Sequence, residues 1–124
     1  MVGPLIEIIL YVEDMNREVH FYRDLLGLPV RYPARKADLS AEGWVTLGEG
    51  DCVLALHAGG KGRLGEDTPK IVFRVEDIHT ARATLSDRGV ALREIRRAAP
   101  GVWVCDGADP EGHPFSIEEH EEGH

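Results

Sequence analysis

Two short apolar stretches carry charged side chains at matching places: Glu7 and Tyr11 in Leu5-Ile6-Glu7-Ile8-Ile9-Leu10-Tyr11-Val12, and Lys70 and Arg74 in Lys70-Ile71-Val72-Phe73-Arg74-Val75. Along an extended strand successive side chains alternate between faces. Glu7, Ile9 and Tyr11 therefore share one face and Ile8, Leu10 and Val12 the other. In the second stretch Lys70, Val72 and Arg74 oppose Ile71, Phe73 and Val75. The wholly apolar faces suit packing against helices, which leaves Glu7, Tyr11, Lys70 and Arg74 on the faces open to a site. An unpaired carboxylate or ammonium among apolar strands is costly, so either a Glu7–Lys70 ion pair or a polar ligand is expected there. The chemistry on offer is acid/base, with Glu7 as base and Lys70 as electrostatic stabiliser. Trp44 and Trp103 lie in comparable strand-like segments and provide either flat walls for a planar or extended ligand or ordinary core. No G-x-S-x-G nucleophile motif is present. Cys52 and Cys105 lack a C-x-x-C partner and are expected to be buried, reduced thiols.

An internal repeat positions these residues. Leu10-Tyr11-Val12-Glu13-Asp14-Met15 returns 63 positions later as Phe73-Arg74-Val75-Glu76-Asp77-Ile78. Each copy places an Asp suited to capping a helix N-terminus after the strand, and a glycine, Gly27 or Gly89, suited to following its C-terminus. Helices are predicted over about 15–26 and 78–88. Their apolar stripes are Met15, Val19, Tyr22, Leu25 and Leu26 in one, and Ile78, Ala81 and Leu85 in the other. Strand-like segments follow at 29–35, 43–47 and 52–58 in the first copy and at 91–97, 102–106 and 114–118 in the second, separated by turn-forming residues. The fold class is α+β: two βαβββ units, about 5–58 and 69–118, in one domain spanning 1–124. A glycine-rich connector, 59–68, is expected to be mobile and able to act as a flap. An acidic tail, 119–124, is expected to be solvated.

The chain has 124 residues, 43% hydrophobic and 29% charged, the balance of a globular domain large enough for one core. No apolar run approaches the ~20 residues of a membrane span, and the start Met1-Val2-Gly3-Pro4 lacks a signal-peptide pattern, so a cytoplasmic location is expected. The net charge of −8 includes Glu118, Glu119, Glu121 and Glu122 near the C-terminus. With Lys and Arg scattered among acids there is no basic stripe for nucleic acid. The acidic balance loosely suits a cationic ligand.

The paired units, the V-x-D before the first helix, Phe21-Tyr22-Arg23-Asp24-Leu25-Leu26-Gly27-Leu28 at its end and Asp109-Pro110-Glu111-Gly112 before the last strand together resemble the vicinal oxygen chelate superfamily. That superfamily includes glyoxalase I, extradiol dioxygenases, fosfomycin-resistance enzymes and bleomycin-resistance proteins. The resemblance implies mixed sheets curled around a shared cleft, usually in a homodimer, on a fold that serves several chemistries. In metal-dependent members the ligands are a His near the start of each first strand and carboxylates from the last strand of each unit. Those positions here hold Glu7, Lys70, Ala55 and Ser116, of which only Glu7 is a competent ligand, so the resemblance implies no metal and no other cofactor. A displaced metal set of Glu7, His57 and Glu118 is the competing expectation, since His57 and Glu118 lie two residues beyond Ala55 and Ser116.

The expected function is metal-free binding of a small molecule in the bleomycin-resistance-like manner. Glu7, Tyr11, Trp44, His57, Lys70, Arg74, Trp103, Ser116 and Glu118 are its contacts. The alternative is a lyase, isomerase or dioxygenase using the displaced metal or Glu7/Lys70 acid–base chemistry. Ligand identity, and whether the units pair within or between chains, are left open by the sequence.

Overall fold

The computed structural model describes Met1 and residues 4–121 and divides the chain into two units, Met1–Arg63 and Leu64–His124. The first contains β1 (Glu7–Val12), α1 (Met15–Val19) continued by a π-helical segment (His20–Leu25), β2 (Val30–Tyr32), β3 (Trp44–Leu47) and β4 (Val53–Ala58). The second contains β5 (Ile71–Arg74), α2 (Ile78–Asp87), β6 (Arg96–Ala99), β7 (Val102–Ala108) and β8 (Pro114–His120). Each unit forms one four-stranded mixed sheet, ordered β1-β4-β3-β2 and β5-β8-β7-β6, with the outer β1 and β5 parallel to β4 and β8 and the other pairs antiparallel. The predicted α+β class and the repeated βαβββ order are thus present.

The helices start where the sequence places their caps. The Asp14 carboxylate accepts from the Arg17 amide at 3.0 Å, and Asp77 accepts from the His79 and Thr80 amides at 3.0 and 3.1 Å. These bonds satisfy first-turn donors that have no partner inside a helix. One face of each sheet meets the helix of its own unit. In the first, Leu54, Leu56, Val45 and Leu47 are buried, as are Met15, Val19 and Tyr22 of the helical segment, whose α1 contacts β4; in the second, Ile71, Phe115 and Ile117 are buried, as are Ile78 and Leu85 of α2, which contacts β7 and β8. Burying each such large side chain contributes about 1.5–3 kcal/mol, so this apolar face holds each unit together.

Several expectations need correction. The first helix widens into a π segment, with the Leu26 amide bonded to Phe21 O at 2.9 Å. The extra residue in the turn rotates the stripe: Phe21 is buried, whereas Leu25 and Leu26 are only half-buried. Segment 91–97 is mostly irregular, touching β7 at the Leu92–Gly107 bridge before β6 begins at Arg96. Gly107 allows that approach, because a Cβ there would stand 2.9 Å from Leu92 Cδ2 and 3.0 Å from the Phe115 ring. The connector begins fastened: the Gly60 amide donates to Val12 O at 2.9 Å, and a Cβ at Gly60 would meet the Tyr11 carbonyl at 2.7 Å. Glu119 and His120, assigned to a solvated tail, belong to β8, and Glu119 Oε1 accepts from the Ile78 amide at 2.9 Å. Val2, Gly3 and residues 122–124, the end of the expected acidic tail, lie outside the described residues. Cys105 is buried as expected, but Cys52 is exposed in the turn before β4; both thiols are free. No helix among the described residues is long and apolar enough to cross a membrane.

Candidate functional site

Strand register decides what each open face presents. In the first sheet Glu7 stands opposite Val53, Ile9 opposite Ala55, and Tyr11 opposite His57, which is in turn opposite Trp44 on β3. Side chains paired across neighbouring strands point the same way, so Glu7, Tyr11, His57 and Trp44 share the face turned away from α1. Tyr32 on β2 joins them by pairing with Thr46, itself opposite Ala55. The Tyr11 and His57 rings lie 5.0 Å apart, and Trp44 meets His57 edge-on at 5.8 Å. These separations are typical of favourable ring contacts. Tyr11 and Tyr32 are 59% and 58% exposed and Ile9 is 40% exposed, so a largely aromatic surface is accessible.

His57 has a defined hydrogen-bonding character. Its Nδ1 lies 2.6 Å from Ala58 O, and a carbonyl only accepts, so Nδ1 carries the proton. In the neutral ring Nε2 is then an acceptor between two aromatic neighbours. Glu7 sits at the other end of β1, four residues from Tyr11, so the register separates it from His57 by about 13 Å between Cα atoms.

The corresponding face of the second sheet has the same plan and different chemistry; Val102, Val104 and Ser116 on it are buried, whereas Val72 is exposed. Arg74 stands opposite Glu118, Glu118 opposite Val104, and Val104 opposite Arg96; one step along, Val72, Ser116 and Asp106 form the adjacent row. Lys70 Nζ lies 3.2 Å from Asp106 Oδ1, and Arg96 Nη2 lies 2.9 Å from Asp106 Oδ2. Burial pushes the Asp106 carboxyl up, but hydrogen bonds from Arg96 and Lys70, with their charges, outweigh it and hold the group below its usual range. His120 Nε2 lies 2.8 Å from Glu118 Oε1. The sequence reading expects Glu7 as the partner of Lys70; the structure supplies Asp106 from the next-but-one strand. The register of β5, β8 and β7 brings Asp106 to Lys70.

Trp103 does not share this face. It pairs with Glu119 and Arg97, on the side where Glu119 reaches the start of α2. The residue matching Trp44 is Val104, because Glu118 occupies the place of His57 in the repeat and Val104 is its β7 neighbour. A displacement of one residue between the two copies turns Trp103 to the opposite face. The turn before β8 also holds a buried pair. Asp109 Oδ1 accepts from the Glu111 and His113 amides at 2.9 Å each, and Asp109 Oδ2 lies 2.8 Å from His113 Nδ1, with both side chains buried.

A family model described as glyoxalase-like domain matches residues 7–118. The chain belongs to the glyoxalase-like family. TnmS3, an antibiotic binding protein from Streptomyces sp. CB03234, is similar in structure, with a TM-score of 0.76 at 18% identity over 97% of this chain and 98% of that one. Lactoylglutathione lyase from Agrobacterium tumefaciens gives a TM-score of 0.72 at 18% identity over 96% and 95%. A protein of unknown function from A. tumefaciens strain C58 gives 0.75 at 24% identity over 98% and 97%. At such identities the likeness is one of fold. No curated protein matches the chain.

In this glyoxalase-like chain the positions at which metal-dependent members are expected to hold ligands offer a poor donor set. Ala55 is buried and has no donor atom, and the Lys70 ammonium faces the Asp106 carboxylate. Ser116 Oγ is buried with no hydrogen-bond partner among the described residues, and a neutral hydroxyl is a weak ligand. Glu7 alone does not fit a divalent cation, which takes several carboxylate, imidazole or thiolate donors. The displaced set fares no better. His57 is held at the far end of the strand pair from Glu7, packed between Tyr11 and Trp44, and Glu118 is engaged with His120.

Proposed function

We propose that this glyoxalase-like protein binds a small organic molecule without a resident metal, using Tyr11, His57 and Trp44 as an aromatic platform. The observation that carries the reading is the exposed ring cluster on the open face of the first sheet, with Ala55 in a position where a metal carboxylate would be expected. Flat rings at 5.0 and 5.8 Å from the His57 ring suit a planar ligand, and His57 Nε2 adds an acceptor for a ligand N–H or O–H. Glu7, on the same face at the other end of β1, adds a polar contact; Trp103 is no longer part of the set. A neighbour described as an antibiotic binding protein supports the idea that this fold can bind a small molecule.

The reading includes a homodimer, supported by Leu5 and Ile6, which are 70% and 67% exposed beside edge strand β1. A monomeric mass by light scattering at tens of micromolar contradicts that part. A catalytic alternative has one observation in its favour, the acceptor Nε2 of His57 on a ring 5.0 Å from that of Tyr11. Acid–base work by Glu7 and Lys70 loses support, because Lys70 is ion-paired with Asp106.

The test is ligand capture followed by mutation. Small molecules retained by purified protein are identified by mass spectrometry, and their affinities are measured for wild type, Tyr11→Ala, Trp44→Ala and Trp103→Phe. The first two substitutions are expected to weaken binding about tenfold each, and the third to leave it unchanged. Retained affinity in both Tyr11→Ala and Trp44→Ala overturns the reading.

A further inference from the structure

The second unit contains an open cleft of about 620 Å³ at the end of its sheet where β5 and β8 begin and β7 ends. Lys70, Leu92, Arg93, Asp106, Ala108 and Pro114 line it, so its whole wall comes from one unit. The volume is within the range of pockets that hold small molecules. The lining holds two cationic residues, Lys70 and Arg93, and one carboxylate, Asp106, which Arg96 bonds as well as Lys70. The cleft is therefore cationic in a chain whose net charge is −8. No ion pair engages Arg93 among the described residues, whereas its backbone is firmly held. Arg93 O accepts from Arg82 Nε at 3.0 Å and from Cys105 Sγ at 3.1 Å, while its amide donates to Asp106 O at 2.9 Å. Arg82 Nη2 also bonds Leu92 O at 3.1 Å, so the wall carrying Leu92 and Arg93 is braced from α2.

We propose that this cleft binds a small organic acid, its carboxylate between Lys70 and Arg93 and its apolar body against Leu92, Ala108 and Pro114. Lys70 holds Asp106 through one hydrogen and retains two for a ligand, and the Arg93 guanidinium presents a planar fork that matches a carboxylate. Asp106 keeps Lys70 in place and leaves the cleft an excess of positive charge. A neutral molecule of the same shape would gain only the apolar contact, and a cation would be repelled by Lys70 and Arg93. The proposal rests on the second unit alone and stands independently of the aromatic platform on the first.

Phenylacetate is the probe, with 2-phenylacetamide as its uncharged counterpart, titrated into uniformly ¹⁵N-labelled full-length protein at low ionic strength. Saturable amide shifts centred on residues 91–93 and 106–108 are expected for phenylacetate, with affinity at least about tenfold above that for phenylacetamide. Arg93→Gln removes a side chain that has no ionic partner among the described residues, so it should leave the spectrum folded and weaken phenylacetate about tenfold. Lys70→Met should do the same where its spectrum remains dispersed. Equal affinity for acid and amide, unchanged affinity in Arg93→Gln, or no saturable shift up to about 20 mM overturns the proposal. Because phenylacetamide and the first unit's signals are followed together, failure here leaves the aromatic platform separately testable.

Discussion

The two open sheet faces follow one register and carry opposite chemistry. Tyr11, His57 and Trp44 form a ring cluster on the first, whereas Arg74, Glu118 and Arg96, at corresponding or neighbouring places, make the second ionic. The strands are arranged alike and the helix-facing sides are both largely apolar, so the backbone repeat fixes where side chains can stand but not what they do. A face of rings gains from apolar and stacking contacts that salt hardly changes. A face of charges responds to pH and ionic strength. The same contrast extends to the turns before the last strands: Asp51 is exposed, while Asp109 is buried with His113 and two backbone amides.

The largest expected effect tests that contrast between turns. Asp109→Ala strands a buried imidazole and two amides and should cost roughly 3 kcal/mol or more of stability. Asp51→Ala, on the surface, should change stability by less than about 0.5 kcal/mol. Urea unfolding midpoints of the two variants measure this directly, and similar values would erase the difference between the turns.

Much of this architecture was legible before the fold. The strand, capping Asp, helix and glycine recur, and Asp14 and Asp77 cap as the pattern requires, because these are local signals a few residues long. The open-face positions of Glu7, Tyr11 and Arg74 followed from alternation, which acts within one strand. Errors arose where two strands must be aligned. Trp103 looks equivalent to Trp44 by order in the chain, yet the pairing of β7 with β8 makes Val104 the equivalent. Lys70 and Asp106 are separated by 36 residues and meet across β8, which no local pattern encodes. The buried Asp109–His113 pair was hidden because a D-P-x-G turn reads as surface unless its side-chain packing is known.

A smaller effect sharpens the ionic side of the comparison. The Asp106 carboxyl is lowered in the folded chain, so it adds stability above its unfolded pKa of about 3.9 and loses that contribution as pH falls through the lower folded value. Its partners are partly exposed, so the contribution should be under about 1 kcal/mol after screening. Wild type should therefore exceed Asp106→Asn slightly in thermal stability at neutral pH. The gap should close in strong acid and narrow in about 1 M salt. The stability change caused by Tyr11→Ala should be nearly independent of salt, and a salt response equal to that of Asp106→Asn would break the comparison.

The central claim is that the first unit's open face takes a planar ligand through its rings, without a metal. The most direct measurement is a titration of ¹⁵N-labelled protein with 2-naphthol, a neutral planar probe, recorded with excess EDTA and again with one equivalent of Zn²⁺ in its place. The account predicts saturable shifts centred on Tyr11, Trp44 and His57 with the same affinity in both conditions. Shifts that require Zn²⁺, or that leave these three residues unmoved, would contradict it.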